Sequence, residues 1–558
     1  MTDRESSTMA LGIGPSAKAQ YVLVRTTLPP SFCFKRSQKA MSMTNISGSS
    51  KTTSTKNDDS GQSSRSNIIV ESSGLTAAAT AASSSPAPSS HGVTTTTKFT
   101  VKAPGRICLF GEHQDYLGFP VISMAIPLHC IIDVTVDVKN QNNNDNSATN
   151  SEDNTAEPES KKPRCTNTGR RIIHLDIPQL SQSKIYDLDN LPPRQTSESL
   201  LTGPDFALSS IYEVLDEGWS LLSDNNESSS FHVTCRSISE IVMQAGCSSS
   251  TAFITAWILM LSKLATTGSS SSSKKLDVEL ELNPIYLGKL AHRAEVSHFN
   301  APGGTMDHVT IALGSTTSKK GGGRQDNGND ESGSVAGPFL RIGPGQWDVL
   351  RLPPPSTIAT AADGDSDCNN DNEIDYYFVL AYSGEPKDTM KHLQRCKGDR
   401  LDILKEKLNG DWDNATGVLK GNDSSLTVSS DERELIETTL INHRTEIQAA
   451  ELLTTTTTAA LIDKIGSLMN EHHVALRDGL KLSTKRLEDM RNAALNAGAV
   501  GYKLVGSGGG GCSISLTSSQ DQAKKIATAI RNVNDTIQTW IITTKQPCRG
   551  AHIEEVAK

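Results

Sequence analysis

Long stretches with few large apolar side chains interrupt this chain, and they limit what can pack more than any motif does. Residues 1–95, 139–168, 268–274, 316–335 and 358–373 are dominated by small, polar and charged residues, with too little apolar surface to offset the entropy of ordering them. They read as a disordered N-terminal tail and four low-complexity insertions. The remainder, roughly 390 residues, suits two packed domains. Within it, alternation over 98–138, broken at 104–105 and 117–118, predicts two or three strands. Strands at 171–177 and 230–236 flank a helix over 206–222. Helical patterning follows from 250 and over 283–297, 431–453, 461–469, 487–495 and 521–533, with strands at 376–382, 512–516 and 536–543. On 431–453, Leu435, Leu440, Ile447 and Leu452 mark the expected buried face. Strands, then helices, then strands again imply an α+β protein.

Charge and cysteine usage exclude several function classes. The net charge is −9, from 63 acidic and 54 basic residues, and no basic stripe interleaved with aromatics stands out, so nucleic acid is not the expected partner. The 10 cysteines are dispersed without a CxxC pair, which argues against a disulfide framework or a zinc site and for a reducing, cytoplasmic setting. Residues 6–57 hold no Asp or Glu and many Ser and Thr, the composition of a transit peptide. A plastid or mitochondrion is therefore the alternative location if residues 1–57 act as a targeting segment. The apolar run within 251–265 is too short to span a bilayer and reads as a buried helix, so no membrane partner is implied.

Four constellations carry chemistry. Arg106, Glu112, His113 and Asp115 follow a predicted strand within a few residues of each other, a cluster suited to clamping hydroxyls and balancing phosphate charge. Gly246, Cys247, Ser248, Ser249 and Ser250 precede the apolar helix, where small residues let backbone N–H groups surround an anion and Ser250 can ligate Mg²⁺. An ordinary helix cap explains the same serines, and the absence of a following GK[ST] excludes a Walker A loop. Glu295 precedes Asp307 by 12 residues, and Asp307 sits beside Gly303 and Gly304. Finally, Gly508 and Gly509 lie in a run of four glycines at 508–511, costly in entropy unless the backbone must approach something closely.

Taken in this order, the four segments resemble the GHMP small-molecule kinase superfamily, with a spacing most similar to the galactokinases. Segments 465–476 and 496–503 are similar to those leading into that family's third motif. The resemblance implies a ribosomal-S5-like N-terminal lobe over 96–315 and a C-terminal α+β lobe over 336–558, with the site between them. It further implies Asp307 and Arg106 as catalytic residues, and Glu112, His113, Asp115 and Gly304 as sugar-binding ones. Gly246, Cys247, Ser248, Ser249, Ser250, Gly508 and Gly509 become the nucleotide-binding set, with Ser250 and Glu295 holding Mg²⁺ and ATP as the phosphoryl donor. The implied activity is transfer to the anomeric hydroxyl of a monosaccharide such as galactose. A uronic acid, arabinose or another acceptor of the superfamily, and a non-catalytic sugar and ATP sensor, stand as alternatives. The chain departs from the galactokinase pattern at Cys108, Gln244, Thr251 and His472, and over 381–388, where a sugar-contacting Tyr is usual.

Overall fold

In a computed structural model, the alternation over 98–138 becomes one long antiparallel hairpin of β1 (Thr94–Phe110) and β2 (Val121–Asn140). The structure describes residues 94–140, 169–199, 203–222, 229–266, 280, 283–301, 303–315, 338–343, 347–352, 376–387, 392–421, 426–455, 460–544, 546 and 548–555. The expected tail and insertions lie almost wholly outside them. The exception is the threonine run counted with the tail: Thr94 pairs with Lys139, and the Thr96 hydroxyl donates to Asp137 at 2.6 Å, because β-branched residues suit a pleated edge. The break expected at 104–105 is instead a register shift inside β1, where Pro104 has no N–H to give to the ladder.

β3 (Arg171–Ile177), β4 (Gln182–Asp187) and β5 (Ser229–Ser239) extend this sheet, with β5 antiparallel to β2 and parallel to β3. The helix expected over 206–222 is shorter. As α1 (Phe206–Asp216) it is capped by Asp205 accepting from the Leu208 N–H, and Gly218, left-handed at φ 80°, lies just beyond its end. α2 (Ser249–Leu264) is the buried apolar helix and packs on β1 and β2. The 283–297 segment divides into α3 (Pro284–His292) and a π-helical turn, Arg293–Ser297, followed by α4 (Met306–Leu313).

Three strands that the sequence did not announce, within 336–558, belong to the first sheet. β6 (Phe339–Ile342) pairs with the first residues of β2, and β7 (Val349–Leu352) pairs with β6. The second sheet comprises β8 (Tyr377–Tyr382), β9 (Gly501–Val505), β10 (Cys512–Thr517) and β11 (Gln538–Thr543), antiparallel in the order β9-β10-β8-β11. The last strand, β12 (His552–Glu555), returns to pair with β1. Around the second sheet lie α5 (Asp399–Glu406), α6 (Ser430–Thr455), α7 (Ala460–Val474), α8 (Lys485–Asn496) and α9 (Gln520–Arg531). On α6 the expected apolar face is only partly the buried one. Ile447 is 43% exposed, while Asn442, Thr445 and Glu446 are buried, Glu446 accepting from Arg341 on β6 at 2.7 and 3.1 Å. The ion pair adds to the apolar packing of Leu435, Ile436, Ala449 and Leu453 in seating that helix. Among the described residues every cysteine is a free, buried thiol, and no helix is long and apolar enough to cross a membrane.

Candidate active site

Asp307 is the second residue of α4, so its carboxylate meets groups from β1 and from the loop ahead of α2. Arg106 grips it bidentately, Nε to Oδ1 at 2.6 Å and Nη2 to Oδ2 at 2.7 Å, and the Ser248 hydroxyl donates to Oδ2 at 2.5 Å. The third arm of Arg106 donates to the Gly246 carbonyl, and its own amide donates to the Cys247 carbonyl at 3.2 Å. Burial alone pushes the Asp307 carboxyl up, but the Arg106 charge and the hydrogen bonds from Arg106 and Ser248 outweigh it and bring its pKa to about 2. A buried guanidinium and an ionised aspartate thus share one well-ordered geometry.

Ser250 and Glu295, the two residues named for Mg²⁺, are hydrogen-bonded to each other. Glu295 comes from the π-helical turn and accepts from Ser250 at 2.7 Å, from Thr251 at 2.7 Å, and bonds the His308 ring at 3.0 Å. Burial raises its pKa, but these donors more than reverse the shift, so it stays ionised. Thr251, a departure from the family pattern, is therefore a further hydroxyl on Glu295. Gln244, another departure, has φ 55°, the left-handed conformation that a glycine there would take without strain.

Asp115 is close enough to both Asp307 and Arg106 to feel their charges. The Tyr116 and Met306 amides hydrogen-bond its carboxylate, while burial first and the Asp307 charge second push its pKa up. Two neighbouring carboxyls are thus driven apart in acidity. Gly304 faces this group so closely that a Cβ would stand 1.6 Å from Asp115 Oδ2. His113 bonds the Tyr116 hydroxyl at 3.0 Å, and its carbonyl accepts from the buried Arg400. Burial first, then the Arg400 charge, lower its pKa to about 3, so this ring is neutral.

Not every predicted residue joins the cluster. Glu112 is 1% exposed and turned into the core, ion-paired with Lys503 of β9. Cys247 is buried beside Cys512. The Gly509 amide is committed to the Leu482 carbonyl at 2.7 Å, and a side chain at Gly508 would strike Leu482. The contact between the two glycine loops is made by the predicted Gly246 with Val505 and Gly506: a Cβ on Gly246 would meet the Val505 carbonyl at 2.6 Å, and one on Gly506 the Gly246 carbonyl at 2.7 Å. Sequence reasoning passed over Lys503, although a lysine inside a fully buried strand is a readable anomaly. It also gave no role to Arg400, His308 or Lys387.

A cavity of about 650 Å³ opens beside the cluster. Leu175, Ile177, Tyr186 and Phe253 line it with apolar surface, while Gly246, residues 248–250 and Lys387 line it with small, hydroxyl and cationic groups. Apolar surface for a flat base and polar groups at a helix N-terminus for phosphates fit a nucleotide.

The chain is similar to known proteins in sequence and in fold. Residues 210–315 match the GHMP kinases N terminal domain, 458–536 the GHMP kinases C terminal domain, and 90–136 the galactokinase galactose-binding signature. The mevalonate kinase of Pyrococcus abyssi is 42% identical over 93 residues, 17% of this chain and 26% of that relative's length. The galactokinase of Pyrococcus furiosus is 22% identical over 442 residues, 78% of this chain and 93% of the relative. The fold is similar to that of Lactococcus lactis galactokinase in complex with galactose, with a TM-score of 0.52, 16% identity, and coverage of 83% and 95% of the two chains.

Proposed function

The chain belongs to the GHMP kinase superfamily, and from that premise we propose that it transfers the terminal phosphoryl group of ATP to the anomeric hydroxyl of a monosaccharide, galactose or a close relative. One observation carries the sugar reading. The galactose-binding signature over 90–136 contains both Arg106 and Asp115, which flank the Asp307 carboxylate.

ATP would sit in the cavity beside residues 248–250, and Mg²⁺ would be held by Ser250 and Glu295, whose hard oxygen donors suit it. When bound, MgATP supplies the phosphoryl group and part of the charge screening. The chain's own groups do the rest. Arg106 presents positive charge where negative charge develops, and Asp115 and Gly304 hold the acceptor. Asp307, with a pKa near 2, is ionised at neutral pH and too weak a base for an ordinary alcohol. It accepts the hydroxyl's hydrogen bond and orients its oxygen, a task suited to the more acidic anomeric hydroxyl.

The test is ADP release with MgATP against galactose, galacturonate, glucuronate, arabinose and mevalonate. Turnover of one sugar, with loss of its reducing end, is the expected result. The mevalonate kinase matches favour a second reading, and turnover of mevalonate alone would replace the first. A sugar that raises the unfolding temperature without ADP release would overturn the enzymatic reading in favour of a sensor.

Gly304→Ala separates acceptor binding from chemistry. The added methyl displaces Asp115, so KM for the sugar is expected to rise by roughly tenfold or more, the value of one lost charge-assisted contact. Isothermal titration with sugar alone checks it. An unchanged sugar affinity would remove Asp115 from the binding site.

A further inference from the structure

Residues 381–387, the described part of the segment that departs most from the galactokinase pattern, are built into the site from both sides. The Ser383 amide donates to the Gly511 carbonyl at 2.9 Å, and the Gly511 amide donates back to the Glu385 carbonyl at 2.7 Å. The Glu385 carboxylate accepts from Thr484 at 2.8 Å. The Lys387 amide then donates to the Gln244 carbonyl at 2.8 Å, tying the segment to the loop ahead of α2. These bonds carry the Lys387 side chain into the wall of the cavity that Gly246 and residues 248–250 also line. Its ammonium has no hydrogen-bond or ion-pair partner among the described residues, although it feels the charges of Arg106, Asp307 and Glu295.

A half-buried ammonium in the cavity wall, with no partner among the described residues, is free to contact an anion that enters beside residues 248–250. Burial first, and the neighbouring Arg106 second, lower its affinity for a proton, which is the expected cost of holding two cations beside one aspartate. Arg106 spends three of its five N–H donors on Asp307 and Gly246, so a second cation would share the charge of a polyphosphate with it.

We propose that Lys387 is a second catalytic cation, which contacts the terminal phosphate oxygens of the bound nucleotide. It rests on the kinase reading, and it assigns to the second lobe a charge that the motif-bearing loops of the first lobe do not provide.

Lys387→Met is the test, with Lys387→Arg as the conservative variant. Both are measured by ADP release, and by calorimetric affinities for ADP, adenosine and the accepted sugar. The Met variant is expected to lose turnover on the order of 10²–10³-fold. Its ADP affinity should fall about tenfold while adenosine and sugar affinities hold within about twofold, with Arg restoring much of both losses. Met-variant turnover within about threefold of the parent protein, or equal losses for ADP and adenosine, would overturn the assignment. If the parent protein turns over none of the acceptors, the sugar reading fails by itself. The ADP-to-adenosine comparison then still decides Lys387: a selective ADP loss supports the cation, and parallel affinities refute it.

Discussion

Asp307→Asn is expected to lower kcat on the order of 10²–10⁴-fold while leaving sugar affinity nearly unchanged, because an amide keeps the side chain's shape but loses the charge that orients the acceptor. The substitution also leaves the buried Arg106 facing a neutral group, so part of the loss is structural. Thermal unfolding with and without sugar separates the two: a folded variant that sugar still stabilises, yet that does not release ADP, isolates the chemistry. Activity within about tenfold of the parent protein would show that Arg106 and the phosphate loop suffice without Asp307. The pH dependence gives an independent check. The folded pKa is depressed from 3.8 to about 2, so the stability this carboxylate contributes is present above about pH 4 and is lost as pH falls towards 2. No limb of the rate profile between pH 5 and 8 should therefore belong to Asp307.

The motifs were legible because each one sits where an element begins or ends. Arg106 lies in β1, residues 248–250 open α2, Asp307 opens α4, and the glycine run joins β9 to β10. Which way the side chains turn was not legible. Glu112 and Asp115 are near neighbours in sequence, but left-handed residues at Gly111 and His113, with φ of 95° and 60°, rotate the chain so that Glu112 enters the core while Asp115 meets α4. Local periodicity is equally silent about long-range pairing. Nothing around 339–352 or 552–555 reveals that these strands complete the first sheet, because their register is set by β1 and β2. The polar buried stripe of α6 escaped for a related reason: Glu446 is tolerated there only because Arg341 reaches it from a strand 105 residues away.

Lys503→Met is expected to destabilise the fold by about 3–5 kcal/mol, because it strands the Glu112 carboxylate in the core. The Lys503 ammonium ties β9 of the second sheet to the end of β1: it pairs with Glu112 and donates to the Cys108 and Leu504 carbonyls at 3.0 and 2.9 Å. Burial already pushes the Glu112 pKa above 4.5, in spite of Lys503. For a carboxyl with a raised folded pKa, stability is fully present below the unfolded pKa and is lost as pH rises through the folded one. Removing Lys503 raises that folded pKa further, so the variant's deficit should be smaller at pH 5 than at pH 8. At pH 8 the melting temperature should drop on the order of ten degrees. Adding Glu112→Gln removes the stranded charge, and the double variant should regain most of the loss. Unfolding measured at both pH values for the single and double variants decides the matter. A deficit independent of pH and untouched by Glu112→Gln would mean that Lys503 acts by packing alone. Repair by the double variant would instead show that the turn bearing His113 and Asp115 is held to the second sheet by charge.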